Sequence, residues 1–193
     1  MPAESRLPDS SRLKVGVDVP WVTSWSTETI GAPAPCPSVD GELAVQQLER
    51  PGRGRPLYSK NHLFRQRRSV RELLCPMCGE PTHDGDRWTQ TGQWTTAGHY
   101  RAHGLGGWLP RDMQDDQVLL GLGAVAPLHR ACAERSLTQC PHLKGMADKV
   151  LKPFPAAWIV APMSVAPRTG AVGARPAITF LWLIGVPQAT ATA

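Results

Sequence analysis

Two short metal-ligand motifs constrain this chain more than any other feature. The first is Cys75-Pro76-Met77-Cys78-Gly79, in which two residues separate the cysteines and a glycine follows. A turn of this kind directs both sulfurs toward one point, and the glycine relieves the crowded backbone beside a metal. The second motif, His129-Arg130-Ala131-Cys132, places two further ligands on one face of a helical turn. Together they predict a structural zinc site whose ligands are Cys75, Cys78, His129 and Cys132.

The order of these motifs predicts a small α+β fold with a treble-clef zinc core, in which a knuckle, a β-hairpin and a helix follow one another. A helix over 128–143 would carry the second ligand pair. The polar stretch 87–96 has a turn signal at Thr91-Gly92 and predicts the hairpin. Because about 50 residues separate the two motifs, this segment must fold back to bring the ligands together.

Other segments show weaker signals. Ser59 is a good N-cap and predicts a helix that runs to about Leu74. The alternating apolar residues of 14–29 predict a strand, whereas the proline-rich stretch 31–38 predicts a linker with a spare thiol at Cys36. Further strands are expected within 118–127, 157–160 and 178–184, and loops over 98–117 and around 168–170.

These signals divide the chain into three predicted segments. They are an N-terminal arm with a strand and a basic loop, the zinc-stabilised core, and an apolar β-rich segment, over 1–58, 59–145 and 146–193 respectively. The core is rich in glycine and looks marginal by itself, so bound zinc would contribute to its folding.

Positive charge is concentrated in one stretch. From Arg50 to Arg71 there are eight basic residues and no acidic residue, although the whole chain has 21 basic and 16 acidic residues. A surface that served only solubility would carry interspersed positive and negative charges, so the excess of positive charge in this stretch favours an anionic partner such as nucleic acid. The predicted contact residues are Arg53, Arg55, Lys60, Arg65, Arg67, Arg68 and Arg71.

The expected compartment rests on the cysteine pattern and on the lack of signal-peptide and membrane-spanning patterns in the sequence. Five cysteines, two of them in a CxxC, are typical of an intracellular metal site and not of a disulfide scaffold. The first residues do not resemble a signal peptide, and the longest apolar run, 177–186, is too short to span a bilayer. We therefore expect a cytoplasmic protein without a membrane partner.

Alternative ligands and activities stay open at this stage. Cys140 or His142 could replace a ligand of the main site, although Pro141 ends the helix there. An HNH-type nuclease shares the treble-clef scaffold and would need a base such as His83 or His99. No asparagine lies within 62–193, which disfavours that chemistry, and the histidine pair at positions 99 and 103 is interpreted as ordinary surface.

The two motifs with their flanking residues also carry a resemblance. The stretches 65–79 and 129–143, with Pro20-Trp21-Val22-Thr23-Ser24-Trp25, are similar to a family of actinobacterial and phage-encoded proteins. That family shares a basic helix, CxxCG, (C/H)xxCA and a closing CPxL. The resemblance implies a zinc-bearing fold and a phage or mobile-element context, and no particular activity.

The function that the sequence favours is a zinc-stabilised, non-enzymatic module. It would bind nucleic acid or a nucleoprotein through the basic helix. A degenerate HNH-like endonuclease is the first alternative. The second is a protein-interaction factor that pairs an exposed strand at 178–184 with a partner's sheet.

Overall fold

The computed structural model describes residues 10–140, 143, 151–165 and 176–187. Within these residues the fold is a mixed α+β fold dominated by sheet. No helix there is long and apolar enough to cross a membrane. The strands are β1 (Thr23–Trp25), β2 (Ile30–Pro35), β3 (Leu43–Gln47), β4 (Pro56–Asn61), β5 (Trp88–Thr89), β6 (Gln93–Thr96), β7 (Val118–Gly123), β8 (Lys152–Pro153), β9 (Ala157–Val165) and β10 (Ala177–Val186). The helices are α1 (Leu63–Arg71), α2 (Ala97–Ala102) and α3 (Arg130–Gln139), with 3-10 turns at Pro37–Val39, Asp84–Asp86 and Gly106–Trp108.

Strand β10 is the centre of a six-stranded sheet of order β2-β3-β10-β7-β6, with β9 also paired to β10. Strand β9 follows β10 in antiparallel register along its whole length. Two strands pair with the other edge of β10. Strand β3 pairs with it in parallel at Ile178, and β7 pairs with it in antiparallel orientation at 183–185. The strands predicted within 118–127, 157–160 and 178–184 are confirmed.

Side chains of α1 occupy the gap between β3 and β7. Gln66 donates from Nε2 to the carbonyl oxygen of Leu181 (2.8 Å), and its Oε1 accepts from the Leu181 amide (3.1 Å). Arg67 donates to the carbonyl oxygens of Thr179 on β10 (2.9 Å) and Val45 on β3 (3.1 Å). The helix thereby satisfies backbone groups of β10 that none of the described strands pairs with at this point, which fixes α1 against the sheet.

The sheet draws strands from each of the three segments predicted from the sequence. β2 and β3 come from 1–58, β6 and β7 from 59–145, and β9 and β10 from 146–193. The apolar core under α1 likewise combines distant residues, among them Val39, Val70, Leu122 and Leu183.

Several local predictions are wrong because long-range pairing decides the structure. Residues 59–61 belong to β4, which pairs with β1, so α1 begins only after His62. The backbone amide of Arg65 donates to His62 Nδ1 (3.4 Å), which caps α1 in place of Ser59. The predicted linker 31–38 forms β2 and a 3-10 turn against β3. The strand predicted over 14–29 is confirmed only at Thr23–Trp25.

The predicted hairpin over 87–96 is not formed. β5 pairs with β8, whereas β6 pairs with β7. Gly92 passes so close to β7 that a Cβ atom there would lie 2.7 Å from a methyl carbon of Leu120. The loop predicted over 98–117 begins as α2, whose first turn is capped by Thr96 Oγ1 accepting from the His99 amide (3.2 Å). Segment 168–170 lies outside the described residues.

Candidate metal centre

The four predicted zinc ligands lie together. The ligand atoms of Cys75, Cys78, His129 and Cys132 are all within 4.8 Å of one another. Neighbouring ligand atoms around a tetrahedral zinc are about 3.5–3.8 Å apart, given the usual Zn–S and Zn–N bond lengths. Cys78 Sγ and His129 Nδ1 are already 3.4 Å apart. This set of three sulfurs and one imidazole nitrogen matches a common structural zinc site.

The first pair is presented by a tight knuckle. The Cys75 amide donates to the carbonyl oxygen of Glu80 (2.8 Å), and the Gly79 amide donates to that of Cys75 (2.8 Å). An isolated bridge between Leu74 and Pro81 closes the loop at its base. Gly79 has φ +86°, a conformation that favours glycine. The turn therefore brings both sulfurs to the same side, as the CxxCG spacing predicts.

The residues just before β1 contact the knuckle through backbone hydrogen bonds and ring packing. The amides of Trp21 and Val22 donate to the carbonyl oxygens of Met77 (2.9 Å) and Pro76 (3.0 Å). The Trp21 ring lies so close to Gly79 that an added Cβ would be 2.8 Å from it. Glycine is thus required here both by its backbone angle and by the packing of this ring.

The second pair lies at the start of α3. A bridge between Trp88 of β5 and Leu128 fixes the residue before His129, which is the N-cap of the helix. Asp86 Oδ1 accepts from the Arg130 amide (2.8 Å) and satisfies a free donor of the first turn. His129 Nε2 is 3.1 Å from the carbonyl oxygen of Pro81, so donation from Nε2 leaves Nδ1 to bind the metal.

The electrostatics of the cluster favour a cation. Burial, followed by the negative charges of Cys75 and Cys78, raises the pKa of Cys132 to about 12 in the absence of a metal ion. Burial is also the main cause of the raised pKa of Cys78. Burial therefore opposes ionisation of Cys78 and Cys132, and a positive charge between the ligand atoms would offset this effect. A divalent ion supplies that charge and deprotonates the thiols.

Of the two alternative ligands, only Cys140 lies within the described residues. Cys140 is the C-cap of α3 and lies outside the cluster of Cys75, Cys78, His129 and Cys132. His142 lies outside the described residues.

Cys36 lies elsewhere, buried beside α1, where Arg67 approaches its Sγ (3.8 Å) and Ser38 Oγ lies 3.2 Å away. Burial raises its pKa, but hydrogen bonds with Ser38 and the charge of Arg67 together lower it below the ordinary value.

The histidines considered for a nuclease are also separate. His83 is exposed near the knuckle, while His99 and His103 are exposed on α2 and just after it. The two rings of the latter pair are 4.1 Å apart, and His103 Nδ1 contacts the carbonyl oxygen of His99 (2.8 Å). Among the described residues, they belong to no group of three or more metal-binding side chains.

Two of the predicted nucleic-acid contacts are wrong. Arg65 and Arg67 are 0 % exposed. Arg65 forms a two-pronged ion pair with buried Glu28 (2.8 and 2.9 Å), and Arg67 bridges β3 and β10. Both side chains hold the fold together and cannot contact a surface partner. Because Glu28 precedes Arg65 by 37 residues, no local pattern reveals this pair.

The other predicted contacts remain at the surface. Arg68 and Arg71 are engaged in ion pairs with Glu72 and Asp40. Four further cations are exposed along the turn before β4 and on β4 itself: Arg50, Arg53, Arg55 and Lys60. These four define the basic ribbon, and none of them takes part in an ion pair among the described residues.

Comparison of the chain with protein-family models, with curated proteins and with solved structures gave no match.

Proposed function

We propose that this protein is a zinc-stabilised module that binds nucleic acid through the basic ribbon. The observation that carries the proposal is the set of four exposed cations, Arg50, Arg53, Arg55 and Lys60, with no acidic residue between them in the sequence. Arginine and lysine at the surface contact phosphates and release counterions, which gives affinity without requiring a sequence.

The backbone of the basic ribbon is held in place. Thr27 Oγ1 donates to the carbonyl oxygen of Arg53 (3.0 Å). The Arg55 amide donates to Ser26 Oγ (3.1 Å), while the Ser26 amide donates to the carbonyl oxygen of Arg55 (2.9 Å). A Cβ atom at Gly54 would lie 2.3 Å from Ser26 Oγ, so this glycine is needed for the close approach. An anchored turn loses little further freedom when a partner binds.

The metal site and the basic ribbon are mechanically connected. Trp21 and Val22 bond to the knuckle, and the chain then continues through β1 to Ser26, which holds the ribbon. Buried Glu28 accepts from both the Arg65 guanidinium and the Arg50 amide (3.0 Å). Loss of the metal would loosen the knuckle and, through β1, the surface that presents the cations.

The proposed role of the metal is structural. Four protein ligands would leave no open coordination position for water or substrate. We propose a treble-clef-like centre, because a knuckle precedes a helix whose N-cap and first turn carry the second pair. The strand pairing between them differs from a simple hairpin, since β5 and β6 have different partners.

The test is fluorescence anisotropy with labelled oligonucleotides over a series of salt concentrations. We expect binding at about 50 mM salt that weakens as salt rises. Arg55→Ala should weaken binding to every sequence and reduce the salt slope by about 1. Arg111→Ala is the matched control, because Arg111 is exposed in a different loop. Equal effects of the two changes, or no binding at low salt, would refute the proposed interface.

A further inference from the structure

One aromatic side chain stands within the basic ribbon. Tyr58, in the middle of β4, is 63 % exposed. Its hydroxyl takes part in no hydrogen bond among the described residues. The exposed phenol ring thus lies in the sequence between two exposed cations, Arg55 and Lys60.

The geometry of β4 determines what this ring can reach. Leu57 pairs with Ser24 and Asn61 with Thr23 of β1, so Tyr58, Ser59 and Lys60 lie in an irregular stretch of β4 between these two pairs. All three of these residues are exposed, whereas Leu57 and Asn61 on either side are less exposed. Within the described residues β4 pairs only with β1, which leaves its second edge open. A ligand can therefore approach both the ring and the flanking cations from solvent.

We infer that Tyr58 stacks on a base of single-stranded nucleic acid while the neighbouring cations of the basic ribbon contact its phosphates. This inference rests on the proposed nucleic-acid function and names its substrate class. In a duplex the base faces are covered by their neighbours, so the Tyr58 ring finds a free π-face only on unpaired nucleotides. Stacking of this kind tolerates any sequence, because every base has a π-face.

The chain offers a matched control for the aromatic ring. Trp94 is also a solvent-facing aromatic on a short strand, with 56 % of its surface exposed. Its strand neighbours are Gln93 and Thr95, which carry no charge. If exposed aromatics bound bases without flanking cations, Trp94→Ala would weaken binding as much as Tyr58→Ala.

The experiment measures anisotropy with three labelled probes of about 15 nucleotides: oligo-dT, oligo-rU and an abasic phosphodiester strand. A duplex of the same length is the fourth probe. The parent protein should bind oligo-dT or oligo-rU more tightly than the abasic strand and the duplex. Tyr58→Ala should weaken binding to the single strand by about 5- to 150-fold. It should also abolish the preference over the abasic strand, whereas Tyr58→Phe and Trp94→Ala should bind as the parent does.

The possible failures are distinguishable. If the parent binds none of the probes, the proposed function and this inference both fail. If the parent binds and Arg55→Ala weakens binding but Tyr58→Ala does not, only the stacking role is overturned. A parent that prefers the duplex overturns the single-strand inference and leaves the basic ribbon as a phosphate-binding surface.

Discussion

The buried pair of Arg65 and Glu28 gives the sharpest stability prediction. Glu28 accepts from the Trp25 amide (2.7 Å), from the Arg50 amide (3.0 Å) and from two nitrogens of Arg65. Arg65→Met keeps much of the side-chain volume but leaves the carboxylate buried without its counter-ion. Breaking such a pair costs about 3–5 kcal/mol in the free energy of unfolding.

Arg68→Met is the matched control on the same helix. Its ion pair with Glu72 has the i,i+4 spacing of a surface pair and is partly exposed, so its loss should cost only about 0.3–0.5 kcal/mol. The assay is urea unfolding at constant zinc concentration, followed by tryptophan fluorescence and circular dichroism. Adding Glu28→Gln to Arg65→Met should recover part of the loss, because the unpaired charge is removed. Arg65→Met within about 1 kcal/mol of Arg68→Met would refute this reasoning.

Two further predictions concern the knuckle and the buried thiol. Gly79→Ala should destabilise the protein by more than Gly41→Ala. Both glycines have positive φ, but a Cβ atom at Gly79 would meet the Trp21 ring, whereas at Gly41 nothing lies within 4 Å. Thermal unfolding of the two variants measures the difference, and equal losses of stability would contradict the prediction. The pKa of Cys36 in the folded protein lies below its ordinary value of 9.0. The ionised thiol therefore stabilises the fold, fully at pH values above 9.0, and this contribution is lost as the pH falls through the folded pKa. The free energy of unfolding of the parent should therefore rise relative to Cys36→Ala as the pH is raised toward 9.0. Parallel pH profiles of the two proteins would show that the thiol near Arg67 stays neutral.

The metal ligands could be predicted because their signal is local. Cys75 and Cys78 are fixed by a spacing of three, and His129 and Cys132 by another spacing of three on a helix start. Each motif needs only its own turn to form. Meeting of the two motifs depends on the Trp88–Leu128 bridge, which the sequence pattern does not indicate.

The sheet and the role of the arginines could not be predicted in this way. Arg67 donates to Thr179, which is 112 residues away, and no pattern within the helix distinguishes it from the partly exposed Arg68. The sequence pattern therefore predicts one surface for seven cations of this stretch, although the fold uses two of them, Arg65 and Arg67, as buried donors to backbone and carboxylate. The start of the helix predicted from Ser59 is wrong for the same reason. Residues 59–61 belong to β4, whose partner β1 lies more than 30 residues earlier in the chain, so no local pattern indicates the pairing.

Metal content of the purified protein, without an affinity tag, tests the central claim most directly. Elemental analysis of the parent should find one zinc ion per chain. Cys132→Ser should lose the zinc together with cooperative unfolding, whereas Cys140→Ser should retain both, because Cys140 lies outside the cluster. A parent protein without zinc, or a Cys132→Ser variant that keeps it, would contradict the proposed metal centre.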